Sequence, residues 1–464
     1  YTESSVQSVD KSSQGTLFDI KDNQINKIST NNTINTLKKY YKILDNENDI
    51  LDFINKIEKT GSFCFDTETT SLNPNEAKLV GIAFSTEPHK AFYLPVSLKI
   101  QEDYGMLNLF NGIFKNEGIR KIGQNLKFDI RVLNRLNIEI KGELFDTMIA
   151  HYLLYPEQRH NLDDLALTYL DYSKIKIEQL IGPKGKDQGN MRDVPPELIK
   201  DYACEDADVT FQLYEIFNKN ISDHKLAELS EKVEMPLIYV LAEIENNGVK
   251  INTSDLDNYA HELNEEINYV EKKIYDLAGT KFNISSPKQL GDILFEKLKI
   301  RSEGKLTKTK QFSTSEETLI KLLDKHAIIE EVLNFRSLKK LLSTYVEALP
   351  KLIDPITDRI HTSYNQTVTS TGRLSSNNPN LQNIPIRDER GREIRKAFIS
   401  SDTDSVILSA DYSQIELRLM AHMSQDKNMM NAFKNNEDIH TATAAKIYSI
   451  PVENVTREMR SRAK

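Results

Sequence analysis

The segment SFCFDTETT, residues 62–70, does most to limit what this chain can fold into. An apolar run leads straight into two carboxylates and a polar turn, the pattern of a short buried strand entering a loop. Side chains alternate along a strand, so Asp66 and Glu68 share one face. Two further apolar runs follow, LVGIAFS and KAFYLPV, with TEPHK as a hairpin-like connection between them. GIRKIGQNLKFDIRVLNRLN then reads as strand, polar loop and helix, while DTMIAHYLLYP and LDDLALTYL carry apolar residues at helical spacings. VPPELIKDYACEDADVTFQLYEIFNKNI has proline at its entrance and continues as one long amphipathic helix. Strands first and mostly helices afterwards predict an α/β or α+β layered domain over residues 38–225.

The remainder is organised differently. Residues 1–37 are rich in Ser, Gln and Asn without apolar periodicity and predict a flexible linker. The sequence starts inside that linker and stops inside a helical pattern, so it reads as a piece of a longer protein with another domain upstream. Residues 226–350 are almost wholly helical in pattern, with one helix ending at Gly248 before a short strand and a long helix over 254–278. Residues 351–464 begin with a polar, turn-rich stretch and contain VILSADYS, which reads as a buried strand, before helices to the end.

Composition narrows the class. With 464 residues, 39% of them hydrophobic, the chain has material for about three domains and is neither disordered nor disulfide-stapled. Its two cysteines, Cys64 and Cys204, lack zinc spacing and fit a reducing compartment. No apolar run approaches the ~18 residues of a membrane span, so no membrane partner is expected. A net charge of −9 gives no sign of nucleic-acid binding, yet residues 297–310 hold six basic residues against the one acid Glu303.

Three acidic segments carry the chemistry. Asp66 and Glu68 form the first. Asp129, in NLKFD at a loop-to-helix junction, taken alone is a first-turn acid stabilised by the helix dipole. Tyr202 and Asp206 lie one turn apart on one helical face, with Glu205 and Asp208 beside them as a solvated face; Asp206 and Asp208 cannot both face one site. Together Asp66, Glu68, Asp129 and Asp206 are hard oxygen ligands suited to Mg²⁺ or Mn²⁺. Two such ions ~4 Å apart clamp the attacking and leaving oxygens of a phosphoryl displacement, and the Tyr202 hydroxyl can orient the attacking water.

The order Asp-x-Glu, Asn-x-x-x-Asp, Tyr-x-x-x-Asp, with the flanking words FDTETTSLNP, GQNLKFD and YACEDADVT, resembles the 3′–5′ exonucleases of D-E-D-D type with a tyrosine, on a ribonuclease-H-like fold. The resemblance implies that Asp66 bridges two metals, that Glu68 and Asp206 serve one and Asp129 the other, and that Leu72 and Asn125 touch the terminal nucleotides.

A second resemblance begins at TSTGRLSSNNPNLQNIPIR. Arg373 and Arg387 carry guanidinium forks suited to phosphates and base edges, and Arg390, Arg392, Arg395 and Lys396 add charge. LSADYSQIELRLMAH, with Asp411 and then Glu416 five residues later, is similar to motif A of family A DNA polymerases, the Klenow-like group. GREIRKAF and DIHTATA match the same family in order, and VTREMRSRAK resembles the start of motif B. By that resemblance Asp411 binds the catalytic metals, Glu416 excludes a 2′-hydroxyl, and His440, Arg460 and Lys464 grip the incoming triphosphate. Lys305, Lys308 and Lys310 fall at the thumb tip that grips duplex backbone. The rest of motif B and all of motif C have no counterpart in the chain.

The resulting expectation is a proofreading family A DNA polymerase, Klenow-like and cut within motif B. It has an exonuclease domain over 38–225, palm entry and helical thumb over 226–350, and a partial palm and the start of the fingers over 351–464. It would use two Mg²⁺ or Mn²⁺ per active site and act on primer-template DNA, single-stranded 3′ ends and, in the whole protein, dNTPs. It would work as a monomer in the bacterial cytoplasm, at the nucleoid, with a 5′-nuclease domain upstream; an organelle is the second choice of location. The alternative is a free-standing exonuclease of this type with an appended helical domain that binds nucleic acid.

Overall fold

The computed structural model describes residues 30, 32–96, 105–300, 312–386 and 389–463. Most of the expected linker, the lysines at 305, 308 and 310, Arg387 and Lys464 lie outside the described residues.

The first layer is a six-stranded mixed sheet. Strands β1 (Tyr40–Ile43), β2 (Ser62–Thr69), β3 (Leu79–Glu87), β4 (Lys90–Pro95), β5 (Arg120–Gly123) and β6 (Leu144–Asp146) lie in the order β1-β4-β3-β2-β5-β6. The β3–β4 hairpin is antiparallel, as the TEPHK connection predicts, and β2 pairs antiparallel with β3 but parallel with β5. Phe63, Phe65, Phe84, Phe110 and Phe114 fill the core on one side of the sheet, and Ile50, Phe53 and Ile57 of the helix Glu47–Thr60 close over them. That face buries large aromatic area, the dominant favourable contribution here. The helix Pro196–Asp223 covers the other face, packing Ile199, Ala203, Cys204 and Ala207 against Val80, Ala83, Ala91 and Tyr93. Its small residues let the helix backbone approach the sheet closely.

The helix Met235–Asn247 joins this core through Met235, Ile238 and Ala242. It stops at Gly248, whose φ of 59° suits a residue without Cβ, and the chain continues into the short strand Lys250–Ile251, paired with Phe398–Ile399. A second core is helical. Leu256, Leu263, Ile267, Val270 and Ile274 of the helix Thr253–Ala278 recur at spacings of three, four and seven, a stripe buried with Ile328, Val332, Phe335 and Leu338 of the helix Ile328–Leu341.

Residues 400–464 form a separate compact unit. Its helices are Ile415–Ser424, Lys427–Lys434, Ile439–Tyr448 and Arg457–Ala463. Here the sequence reading of VILSADYS needs correction: residues 406–413 form no strand, and Val406, Leu408 and Tyr412 stand exposed. A strand is held by its ladder partners, and no described segment pairs with this one.

Candidate functional site

Asp66 and Glu68 project from the same face of β2, opposite Ala83 and Gly81 of β3. Gly81 is required here: a Cβ would sit 2.2 Å from the Tyr93 hydroxyl. Asp129, in the first turn of the helix Leu126–Asn134, is turned towards β2 by Thr67, the residue between the two strand acids. Both the Thr67 amide (3.0 Å) and its hydroxyl (2.5 Å) donate to Asp129 Oδ1. Asp146 anchors the start of that helix by accepting from the Leu126 amide at 2.7 Å. The helix Pro196–Asp223 supplies Tyr202 and Asp206 from one turn.

The four acids repel one another in a site sheltered from water. Burial first, then Asp129, Glu68 and Asp206, hold the Asp66 carboxyl well above the usual carboxylate range. Burial and Asp206 push Glu68 up to about 8, and burial pushes Asp129 up to about 7 against the pull of the Thr67 bonds. Asp206 is raised by burial although Lys174 opposes the shift. Glu68 Oε1 is buried without a hydrogen-bond partner. An orphaned carboxylate oxygen amid three further acids fits a hard divalent cation in kind. As the side chains stand, however, no three of the described Asp, Glu, His or Cys residues converge to hold an ion. Asp206 instead pairs with the ammonium of Lys174, a residue from the loop after the helix Leu162–Leu170. Sequence reading missed both Thr67 and Lys174. Thr67 was hidden between two more conspicuous acids, and a lone lysine in a loop gives no signal.

Glu205 and Asp208 are not a solvated face. Glu205 accepts from the Tyr172 hydroxyl (2.6 Å) and the Ile175 amide (2.7 Å), and Asp208 accepts from the Tyr41 hydroxyl (2.7 Å) and the His89 amide (2.7 Å). Both are buried structural anchors that fix the helix carrying Tyr202 and Asp206, and Asp208 faces away from the acid cluster as the spacing requires. At the rim, Leu72 is 90% exposed in the loop after β2, and Asn125 is exposed in a left-handed turn with φ of 63°.

The helix with Asp129 is also tied to the segment leading to Arg373. Glu245, 1% exposed, accepts from Lys127 Nζ (2.6 Å), Arg131 Nη1 (2.7 Å) and the Tyr364 amide (2.7 Å). Arg131 also reaches Asn246 and Asn75, and Lys127 donates to the Tyr364 carbonyl. Five and eight residues beyond Tyr364, the chain is held by Tyr152, whose hydroxyl donates to the Thr369 carbonyl (2.6 Å) and accepts from the Gly372 amide (3.1 Å). Arg373 is exposed beside this anchored turn. Among the basic residues that follow, Arg390 pairs with Glu266 and Asn334, and Arg395 donates to the carbonyls of Pro385 and Ile384, so both brace the fold.

Within residues 400–464, Asp411 and Glu416 are exposed, Glu416 in the first turn of the helix Ile415–Ser424. His440 opens the helix Ile439–Tyr448 half-buried. Arg460 forms a fork onto Asp438 at 3.1 and 2.7 Å, and this holds the Asp438 carboxyl well below its ordinary range.

Comparison with known proteins follows the same division. Residues 41–222 match the family model of 3′-5′ exonucleases, and residues 253–464 match that of DNA polymerase family A. The chain is 39% identical to a DNA polymerase I of Borreliella burgdorferi, over 95% of this chain and 48% of that protein. It is 41% identical to one of Pseudomonas aeruginosa, over 89% and 46%. It thus spans about half the length of these curated relatives. Among solved structures, it resembles the POL domain of Pol1 from M. smegmatis in complex with DNA primer-template and dNTP. There the TM-score is 0.75 at 29% identity, covering 91% of this chain and 70% of that one.

Proposed function

This chain belongs to DNA polymerase family A and includes a 3′–5′ exonuclease domain, and from that premise we propose that residues 38–225 edit the 3′ ends of DNA by metal-assisted hydrolysis. Both families generally use divalent metal ions; here the ions would be Mg²⁺ or Mn²⁺, two per active site. Asp66 would be shared by both, with Glu68 and Asp206 on one and Asp129 on the other, and the metals would stabilise charge on the attacking and leaving oxygens. Tyr202 orients the attacking water. Leu72 offers an apolar contact for a terminal base and Asn125 a polar one. The observation that carries this reading is the cluster of four mutually repelling carboxylates, three of them buried, with an unpartnered oxygen on Glu68.

For the whole protein we propose templated DNA synthesis in replication and repair. Asp411 would hold the catalytic metals, Glu416 would select the sugar, and His440, Arg460 and Lys464 would bind the dNTP triphosphate. Arg373, Arg387, Lys305, Lys308 and Lys310 grip primer-template DNA. Residues 226–350 would be palm entry and thumb, and residues 351–464 part of the palm and fingers. A free-standing exonuclease with a helical appendage is disfavoured, because it leaves the family match of residues 253–464 without a role. Among the described residues no helix is long and apolar enough to cross a membrane. By its similarity to bacterial DNA polymerases I, we place the protein, as a monomer, in the bacterial cytoplasm at the nucleoid.

The test is hydrolysis of 5′-labelled single-stranded DNA with Mg²⁺ or Mn²⁺. The chain should shorten it from the 3′ end, and Asp66→Ala should reduce the rate at least about a thousandfold, the scale of losing a group central to transition-state stabilisation. Near-normal activity of pure Asp66→Ala overturns the assignment.

A further inference from the structure

The acid cluster contains a cation of its own. The Lys174 side chain is only 3% exposed, and its ammonium pairs with Asp206 Oδ1. The same nitrogen lies 3.7 Å from Asp163 Oδ1 and 5.8 Å from the centre of the Tyr202 ring. Asp163 sits on the outer side, with 41% of its side chain exposed, and also pairs with Lys176. One ammonium therefore has two carboxylates within reach: an inner one proposed to bind metal and an outer one at the surface. Asp206 is turned to the lysine, and no three of the described acids converge on a common point.

We propose that Lys174 is an internal counter-cation that occupies Asp206 in the metal-free site and is displaced towards Asp163 when a divalent ion binds. Two physical requirements lead to this. Asp206, buried at 7% exposure, needs a nearby positive charge when it is ionised without metal, since an uncompensated charge in a water-poor site is costly. A divalent ion and an ammonium cannot both sit against the same carboxylate oxygen without strong repulsion. Asp163 supplies the second resting place, a short swing away and shared with Lys176. Lys174 is thus a positioning residue: it sets the affinity for metal and, through its place over the Tyr202 ring, couples the phenol to metal occupancy. This rests on the two-metal reading given above.

Mn²⁺ binding to the full chain, followed by titration calorimetry and by electron paramagnetic resonance, tests the proposal without substrate. Lys174→Met removes the charge and should tighten Mn²⁺ binding roughly tenfold or more, because a competing like charge within a few ångströms is gone. Its melting temperature in EDTA should fall below that of the unsubstituted chain and rise further on adding Mn²⁺. Lys174→Arg keeps the charge and should keep the original affinity. Lys174→Gln repeats the charge removal should the methionine variant not melt cooperatively. Affinity unchanged within about twofold or weakened in both neutral variants overturns the proposal, as does equal tightening in Lys174→Arg. A different failure is also readable: if the unsubstituted chain binds no more Mn²⁺ than Asp66→Ala, the two-metal reading falls and takes the lysine's role with it.

Discussion

Removing the charge of Glu245 should destabilise the sheet-bearing part of the molecule strongly. The residue is 1% exposed and receives Lys127 Nζ at 2.6 Å, Arg131 Nη1 at 2.7 Å and the Tyr364 amide at 2.7 Å. Burial already pushes the Lys127 and Arg131 pKa values down, so the two cations depend on this carboxylate. Removing one partner of a buried ion pair costs about 3–5 kcal/mol, because it leaves uncompensated charge behind. Glu245→Gln keeps one carbonyl acceptor and should lie near the lower end, about 3 kcal/mol; Glu245→Ala keeps none and should approach about 5 kcal/mol. Equilibrium unfolding in guanidinium, followed by far-UV circular dichroism, gives the difference from the shift in midpoint at unchanged slope. Exonuclease rate should fall along with stability, since Lys127 and Arg131 flank Asp129 on one helix. The triple replacement Lys127→Met, Arg131→Leu, Glu245→Leu should recover much of the loss, because an apolar substitute for a whole buried ion cluster is often neutral. A loss below about 1 kcal/mol in both single variants would refute the reasoning and make these contacts no stronger than surface pairs.

Other outcomes follow from the same structure. Glu68 and Asp129 have folded pKa values raised to about 8 and about 7, so their contribution to metal-free stability is fully present below their ordinary values of 4.5 and 3.8 and is lost as pH rises through the raised ones. Melting temperature in EDTA should therefore decline between about pH 5 and about pH 8.5, and Mg²⁺ should flatten the decline; an EDTA profile flat with pH would contradict the described electrostatics. Replacing Lys305, Lys308 and Lys310 by alanine should weaken primer-template binding at all sequences and lower the slope of log affinity against log salt by about 2–3, measured by fluorescence anisotropy. In the whole protein, Glu416→Ala should raise ribonucleotide incorporation relative to deoxyribonucleotide. A ratio of kcat/KM values changed less than about twofold would leave Glu416 as a first-turn helix acid only.

The parts of the fold legible in the sequence were those set by local periodicity. The alternation that puts Asp66 and Glu68 on one face of β2, the β3–β4 hairpin and the proline-led helix Pro196–Asp223 all appear where their patterns predict them. Helical spacing likewise separates Asp206 from Asp208. What stayed hidden depends on distant partners. Glu205 and Asp208 look solvated beside their neighbours, yet they are buried by Tyr172, Tyr41 and His89, residues 33, 167 and 119 positions away. VILSADYS has the composition of a strand, but composition supplies no ladder partner. Lys174 looks like any loop lysine until the fold brings Asp206 to it.

The Tyr152 hydroxyl has a consequence for protein engineering. It clasps the turn at Thr369 and Gly372 from the helix Thr147–Leu154, within the exonuclease portion of the chain. Replacing, one at a time, the acids proposed to edit leaves that clasp in place. Excising residues 38–225 to make a smaller enzyme takes it away and leaves the Thr369 carbonyl and Gly372 amide to water, next to Arg373. Lys127 and Arg131 would go with the excised portion, leaving Glu245 open to solvent. If Arg373 contacts primer-template DNA as proposed, a point-substituted and a trimmed protein would therefore differ in how firmly that turn is held, even where the proposed hydrolytic activity is lost from both.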